Sequence, residues 1–283
     1  AYNTSLHLIN SHFSIGSAKP LVPNVIEVAG LHIEKQQPLS EHFNKVLNTD
    51  SKGVILLTFG SLVLTETFPN NILQPMFDAF AELPYKVLWK ANAPKFSKDL
   101  RIPPNIHFES WLPQRDILCD SRVKLFVSHG GMMGTQEAVE CGVPILGIPI
   151  FSDQSLNIRQ AQNRGFAIML QLMTLTKEEI LDAAKKLFYN PSYSENAKRI
   201  SRIFKDRPMS AMDTAVYWVE YVIRHKGAPQ IQSVAKELAW WQYYLVDVMA
   251  ILVGLPCLCI FLLFVLIRKL FLKDNTKIKV KKS

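Results

Sequence analysis

Residues 111–154 read WLPQRDILCDSRVKLFVSHGGMMGTQEAVECGVPILGIPIFSDQ, and the fold turns on them. Leu125–Ser128 is a short apolar run of strand character, closed by His129, Gly130 and Gly131. A helical pattern follows over Met133–Cys141, then a second apolar run at Ile145–Ile148, then a turn into another helical pattern over Asp153–Asn163. Strand, helix, strand in this order is a βαβ unit. Its two strands must run parallel, because the helix carries the chain back across the sheet before the second strand begins.

The same alternation continues outward. Val54–Phe59, Lys86–Trp89 and Ile106–Glu109 are candidate strands before this stretch, Ala167–Leu170 is one after it, and Phe68–Ala81 has helical spacing. Short, uniformly apolar strands separated by amphipathic helices predict a parallel sheet covered on both faces, an α/β, Rossmann-like domain. Three helices complete it: Lys177–Tyr189 capped by Thr176, Tyr193–Lys205, and one from about Met209 to Arg224. Residues 1–50, punctuated by Pro20, Pro23 and Pro38, show little period and read as an interdomain segment, the end of a missing N-terminal domain. The domain then spans 51–230, a juxtamembrane segment 231–247, an anchor 248–267 and a basic tail 268–283.

Composition narrows the function. With 283 residues, 48% hydrophobic and 20% charged, the chain has the material for one large folded domain or two small ones. Its 12 Gly and 16 Pro follow no fixed period, which excludes a collagen-like or low-complexity chain. The net charge of +8 suggests nucleic acid until it is located: Arg268–Ser283 holds seven basic residues and one acidic, leaving a net of only +2 on the other 267. Such a body lacks the electrostatic footprint of a nucleic-acid binder, so no nucleic-acid partner is expected. Cys119, Cys141, Cys257 and Cys259 form neither a disulfide framework nor a zinc-spaced set and read as small buried hydrophobes.

Val248–Ile267, VMAILVGLPCLCIFLLFVLI, carries no charge over twenty residues. As a helix it would span roughly 30 Å, the hydrocarbon thickness of a bilayer. Trp240, Trp241, Tyr243 and Tyr244 stand at one end and Arg268 and Lys269 at the other, so the positive-inside rule makes the tail cytosolic and the main domain lumenal. Asn3-Thr4-Ser5 is a glycosylation acceptor that suits this side. Lys279 and Lys281 stand fifth and third from the C-terminus, the spacing of a dilysine retrieval signal, which predicts a single-pass type I protein of the endoplasmic reticulum membrane. Ala1 is not an initiator Met and no charged-then-apolar leader follows it, so the chain is expected to be a fragment or a truncated form of a longer protein.

Ligands of doubly wound sheets bind where strands end and helices begin. Three stretches have that form: Phe59-Gly60-Ser61, Ser128–Gly131, and Pro149–Gln154. There is no GxGxxG and no GxxxxGK[ST], which removes the dinucleotide and P-loop readings. Glycines beside His129 allow a close backbone approach, and a helix start favours an anion, so a phosphate is the natural guest. Glu137, two turns along the same helix, can accept from a sugar diol. Trp111 offers a flat face to a base, and Asp153 and Gln154 suit hydroxyl groups.

The stretch from Trp111 to Gln154 resembles the signature of the UDP-glycosyltransferase family, in its membrane-bound animal branch that includes the UDP-glucuronosyltransferases. FGS, PSY, WVEYVIRHKGA and the final anchor extend the resemblance from about Pro20 to the lysine tail. The resemblance implies a GT-B fold of two Rossmann-like domains, this chain being the C-terminal, donor-binding one. By matched position, Trp111 would stack on uracil and Gln114 contact the uridine. Ser61, His129 and Thr135, with the backbone around Gly131 and Gly134, would hold the diphosphate; Glu137 would take the ribose, and Asp153 and Gln154 the sugar. Many relatives have Asn where this chain has Met133, whose thioether cannot replace the amide's hydrogen bonds; neighbouring backbone N–H groups are expected to compensate.

The implied reaction is inverting transfer of a hexose, glucuronic acid among the candidates, from a UDP-sugar to a small lipophilic acceptor (EC 2.4.1-type). It needs no metal and no cofactor, the UDP-sugar being a co-substrate. The catalytic base, a His supported by an Asp, is expected in the N-terminal domain and so outside this chain. The other reading is a truncated, non-catalytic membrane isoform that pairs with full-length relatives, homo- or hetero-oligomerically, and modulates them. His7, His12, His32, His42 and His107 read as surface or structural, and Met132, Met169 and Met173 as packing.

Overall fold

The computed structural model describes residues 4–48 and 51–280, with side chains up to residue 269. Asn3 of the acceptor triplet, the Lys279 side chain and Lys281 of the retrieval signal lie outside what is described. Two compact units are distinguished, one of Leu6–Leu21 with Val25–Gly227 and one of the remaining described residues.

The larger unit holds β1 (His7–Ile9), β2 (Val25–Glu27), α1 (Glu41–Leu47), β3 (Val54–Thr58), α2 (Asn70–Ala81), β4 (Lys86–Lys90), β5 (Ile106–Glu109), α3 (Gln114–Leu118), β6 (Val123–Ser128), α4 (Met132–Cys141), β7 (Ile145–Gly147), α5 (Gln154–Asn163), β8 (Ala167–Met169), α6 (Lys177–Tyr189), α7 (Pro191–Lys205) and α8 (Ala211–Arg224). The six strands β3–β8 form one sheet in the order β5-β4-β3-β6-β7-β8, every neighbouring pair parallel. Counted from β3, this is the 3-2-1-4-5-6 order of a doubly wound sheet, which reverses between β3 and β6.

All five residues of β3 are buried, because both faces of the sheet are covered. Ile55, Leu57 and Phe59 point into one core with Trp89, Phe77 and Phe80; Val54 and Leu56 point into the other with Phe126, Ile158 and Phe166. The alternation follows from the two-residue period of a strand. Register aligns the strand ends: Thr58 pairs with Ser128, and Ser128 with Gly147. The loops after β3, β6 and β7 therefore emerge side by side.

Within the larger unit, Leu6–Leu21 and the residues from Val25 to Asn48 are more ordered than their irregular pattern suggested. Ile15, Ala29, Val46 and Leu47 join the second core, Gln136 accepts from the Gly30 N–H at 2.8 Å and donates to Asn10 at 2.8 Å, and Arg207 donates to the Ala29 carbonyl at 2.8 Å. His12 is buried against Phe13 and Phe204, and burial together with the nearby Arg207 guanidinium pushes its pKa down to about 4, against a smaller opposing pull from Glu27.

The cysteine expectation needs correction. Cys119 and Cys141 form a disulfide, with 4.6 Å between their Cα atoms. Their separation of 22 positions hides the pairing, but α3 packs on α4 so that the two helix ends meet. Cys257 and Cys259 are exposed rather than buried.

In the smaller unit, α9 (Trp240–Tyr243) precedes α10 (Val246–Met249), a π turn over Ala250–Gly254 and α11 (Leu255–Val280). The π turn sits just before Pro256, whose ring removes an N–H and crowds the preceding turn. Val246–Lys269 is the one helical stretch among the described residues long and apolar enough to cross a membrane, with mean hydropathy 3.1 and no part of it buried.

Candidate functional site

The strand order reverses between β3 and β6, and the loops leaving their carboxyl ends carry the expected phosphate-binding groups. After β3, the Gly60 N–H donates to Thr58 Oγ1 at 3.1 Å and the chain turns through a φ of +80° to present the exposed Ser61. After β6, His129 leads into Gly130 and Gly131, and Gly131 is the N-cap of α4. Gly130 adopts φ +85°, and a Cβ there would come within 2.4 Å of Ile158. No side chain caps α4, so its first-turn N–H groups face outward, where an anion is favoured.

His129 lies between these loops. A Cβ on Gly60 would stand 2.9 Å from its Cε1 and one on Gly131 2.6 Å from its Nε2, so both positions leave space for the ring. Its Nδ1 is buried with no hydrogen-bond partner. Burial lowers its pKa below the ordinary imidazole value, and the Asp153 carboxylate opposes that shift. The ring is thus neutral at neutral pH and gains a proton most readily when an anion arrives. Lys90, at the end of β4, donates to the Gly60 carbonyl at 3.1 Å and brings a cation to the same edge.

A second group gathers on the α3 side of α4. Gln114 donates its side-chain amide to Glu137 at 2.5 Å, and a Cβ on Gly134 would stand 3.3 Å from that amide nitrogen. Glu137 is 15% exposed, and burial raises its carboxyl above the usual range against the pull of the Gln114 hydrogen bond. His32 reaches in as well: its Nε2 is 3.2 Å from the Met133 carbonyl and 3.7 Å from Glu137. Burial lowers the His32 pKa, offset in part by the Met133 carbonyl. Met133 is 55% exposed and Trp111 66%, so the indole face is open.

The third turn joins β7 to α5. Gln154 Oε1 accepts from the N–H groups of Ile150 at 2.8 Å and Phe151 at 3.0 Å, while Ser152 takes a left-handed φ of +61°. The buried Asn157 donates to Asp153 at 2.9 Å and to the Gly130 carbonyl at 3.0 Å, so it ties this turn to the glycine turn. Gln154 keeps only its amide nitrogen for a ligand, while Asp153 is exposed.

Nine of the ten expected residues belong to the three groups just described, with Glu137 half-buried and Gln154 only 4% exposed; Thr135 joins none of them. It is fully buried, and its hydroxyl has no partner. Sequence reasoning missed His32, Lys90 and Asn157. Only Lys90 carried a signal, a cation at the end of a predicted strand. His32 and Asn157 enter through contacts with residues about 101 and 27 positions away.

A family profile described as "UDP-glucoronosyl and UDP-glucosyl transferase" matches residues 2–282. UDP-glucosyltransferase 2 of Dactylopius coccus is 45% identical over 256 residues, 90% of this chain and 49% of the relative. UDP-glucuronosyltransferase 2C1 of Oryctolagus cuniculus is 38% identical over 258 residues, 90% of this chain and 50% of the relative. The chain thus spans about half the length of the curated relatives it matches. Among solved structures, a variant of Os79 from O. sativa in complex with UDP matches with TM-score 0.61 at 18% identity, over 76% of this chain and 55% of that one. Glycosyltransferase VinC in complex with DTDP matches with TM-score 0.58 at 22% identity, over 71% and 52%. At those identities the likeness concerns the fold, the Rossmann-like domain of a GT-B architecture. By the profile matched across almost all of its length, the chain belongs to the UDP-glucuronosyl and UDP-glucosyl transferase family.

Proposed function

We propose that this chain supplies the UDP-sugar-binding half of a membrane-anchored UDP-glycosyltransferase, which transfers a hexose with inversion to a small lipophilic acceptor. The observation that carries the reading is the position of His129, between two glycine loops and beside the uncapped start of α4, where the strand order reverses. The diphosphate lies on the α4 N–H groups, His129 and Ser61. Uracil stacks on Trp111, Gln114 and Glu137 take the uridine, and Asp153 with the Gln154 amide nitrogen takes the sugar hydroxyls. As the sugar leaves, charge grows on the UDP oxygens, and fixed N–H dipoles with a protonating His129 stabilise it without reorganisation. The acceptor hydroxyl is deprotonated by a base from the part of the relatives' length that this chain does not cover. The donor is a co-substrate and no further cofactor is invoked.

Thr135 supports α4 from within rather than touching the donor, since it is fully buried. Backbone N–H groups of the same turn supply the hydrogen bonds that the Met133 thioether, standing where many relatives have an Asn amide, cannot make. The anchor and basic tail make this a single-pass type I protein of the endoplasmic reticulum, and the Cys119–Cys141 disulfide supports an oxidising, lumenal side for the domain.

The test is calorimetric titration of the full chain in detergent with UDP, UDP-glucose and UDP-glucuronic acid. His129→Ala and Glu137→Ala should each weaken binding about tenfold or more, the cost of one charge-assisted contact. A folded protein that binds none of the three overturns the reading.

A further inference from the structure

Away from the residues assigned to the donor, α1 and the edge strand β5 bring three metal-binding groups together. His107 and Glu109 are two apart on β5 and so share a face of the strand. His42 reaches them from α1. His42 Nε2 is 2.6 Å and His107 Nε2 is 2.8 Å from the same oxygen, Glu109 Oε1. The three ligand atoms lie within 4.8 Å of one another, and no other group of three such side chains meets that condition among the described residues. Burial alone would raise the Glu109 carboxyl, but the hydrogen bonds from His107 and His42 outweigh it and hold the group below its usual range.

We propose that His42, His107 and Glu109 form a binding site for one divalent transition-metal ion of the zinc class. Two imidazoles and one carboxylate, with no thiolate, suit Zn2+ or Co2+ rather than Mg2+ or Ca2+, which prefer all-oxygen sets. Tetrahedral zinc with bonds of about 2.0–2.1 Å separates its ligand atoms by about 3.3 Å. The two His-to-Glu distances, 2.6 and 2.8 Å, need to open by only about 0.7 and about 0.5 Å to reach that value. The His42 side chain is 58% exposed and free to make that adjustment. Three protein ligands leave the fourth position to water. Because its ligands come from both α1 and β5, the ion would pin α1, a seven-residue helix too short to be stable alone, to the strand that ends two residues before Trp111.

The test uses the full chain without a polyhistidine tag, in detergent and stripped with EDTA, titrated with Zn2+ or Co2+ alone. One Zn2+ should bind per chain and raise Tm. Co2+ should give tetrahedral visible bands without a thiolate charge-transfer band, which separates this site from the exposed Cys257 and Cys259. H42A, H107A and E109Q should each weaken uptake about tenfold or more, and the triple variant should abolish both uptake and the Tm rise. UDP affinity measured on the same triple variant checks that it is folded and keeps this test separate from that of the donor site. No saturable uptake by the parent chain, a thiolate-type Co2+ spectrum, or undiminished uptake by a folded triple variant overturns the proposal.

Discussion

Two strand-to-helix turns lie side by side at the carboxyl edge of the sheet and are built by different means. The turn from β6 to α4 takes up little side-chain bonding: Gly130 adopts the left-handed conformation against Ile158 and gives its N–H to Ser128 Oγ at 3.2 Å, but no side chain caps the first-turn N–H groups of α4. The turn from β7 to α5 is made by side chains: Gln154 holds two backbone N–H groups, Asn157 holds Asp153, and a serine accepts the positive φ. A backbone built from glycine leaves its donors for a ligand. One built from side chains has used much of its hydrogen-bonding capacity already. In the function proposed above, the first turn therefore takes the anion, and the second contributes what remains, the Asp153 carboxylate and one amide nitrogen.

Changes that destroy the glycine turn should do most damage. Gly130→Val puts a branched side chain into the Ile158 contact at a left-handed φ, and should cost about 3 kcal/mol or more with complete loss of UDP binding. Chemical denaturation and calorimetry measure both. Near-normal stability would show that this turn tolerates a Cβ and that the contrast is false.

The helix after the glycine turn is braced at its far end by the Cys119–Cys141 bridge; among the described residues α5 has no such brace. Breaking that bridge with Cys119→Ser and Cys141→Ser together should lower stability by about 3 kcal/mol, as expected for a loop of this length. An unchanged denaturation midpoint, or two free thiols by mass spectrometry of the unreduced parent, would remove the brace from the account.

Asn157 joins the two turns. Asn157→Leu leaves the Gly130 carbonyl and Asp153 without that donor and should cost about 1–3 kcal/mol, with UDP-sugar affinity falling in step. If affinity holds while stability drops, the turns are coupled only through packing.

The acid dependence of binding sharpens the contrast further. Burial lowers the His129 pKa in the free protein, and a bound diphosphate must raise it again, so donor binding takes up a proton. Affinity for UDP-glucose, whose diphosphate does not titrate near neutrality, should rise as pH falls from neutral toward the lowered His129 pKa and level off below it. The slope should vanish in His129→Ala. A slope retained in that variant would assign the proton elsewhere.

The smallest effect is expected at Ser152. Ser152→Gly relieves a left-handed φ and should raise stability by about 1 kcal/mol. A fall in Tm would mean that the serine hydroxyl contributes more than the backbone strain costs.

The parallel sheet was legible because strands buried on both faces are uniformly apolar, as Val54–Thr58 is, and because amphipathic stretches separate them. His129, Gly131 and Glu137 were legible because they fall within one strand-turn-helix of contiguous sequence. His32, Asn157 and the His42–His107–Glu109 group were not, because each needs a partner brought by the packing of another element. The full burial of Thr135 was hidden for the same reason. One residue along a helix turns a side chain by about 100°, and only the packed neighbours decide which positions face the cleft. The two cysteines failed similarly, since 22 residues of strand and helix must fold before their sulfurs can meet.

Local pattern by itself determined the α/β class, the six strands of the main sheet, the apolar span and the place of the glycine turn, because all of these depend on periodicity and on neighbours a few residues apart. Tertiary structure alone decided that Ile15, Ala29, Val46 and Leu47 join the core beneath the sheet, that Cys119 joins Cys141, that Gln154 has already committed its carbonyl oxygen, and that two histidines share one carboxylate. Each of these is a contact between segments remote in sequence. Such contacts form only after hydrophobic burial has fixed how helices lie on the sheet, and no residue-to-residue spacing records them.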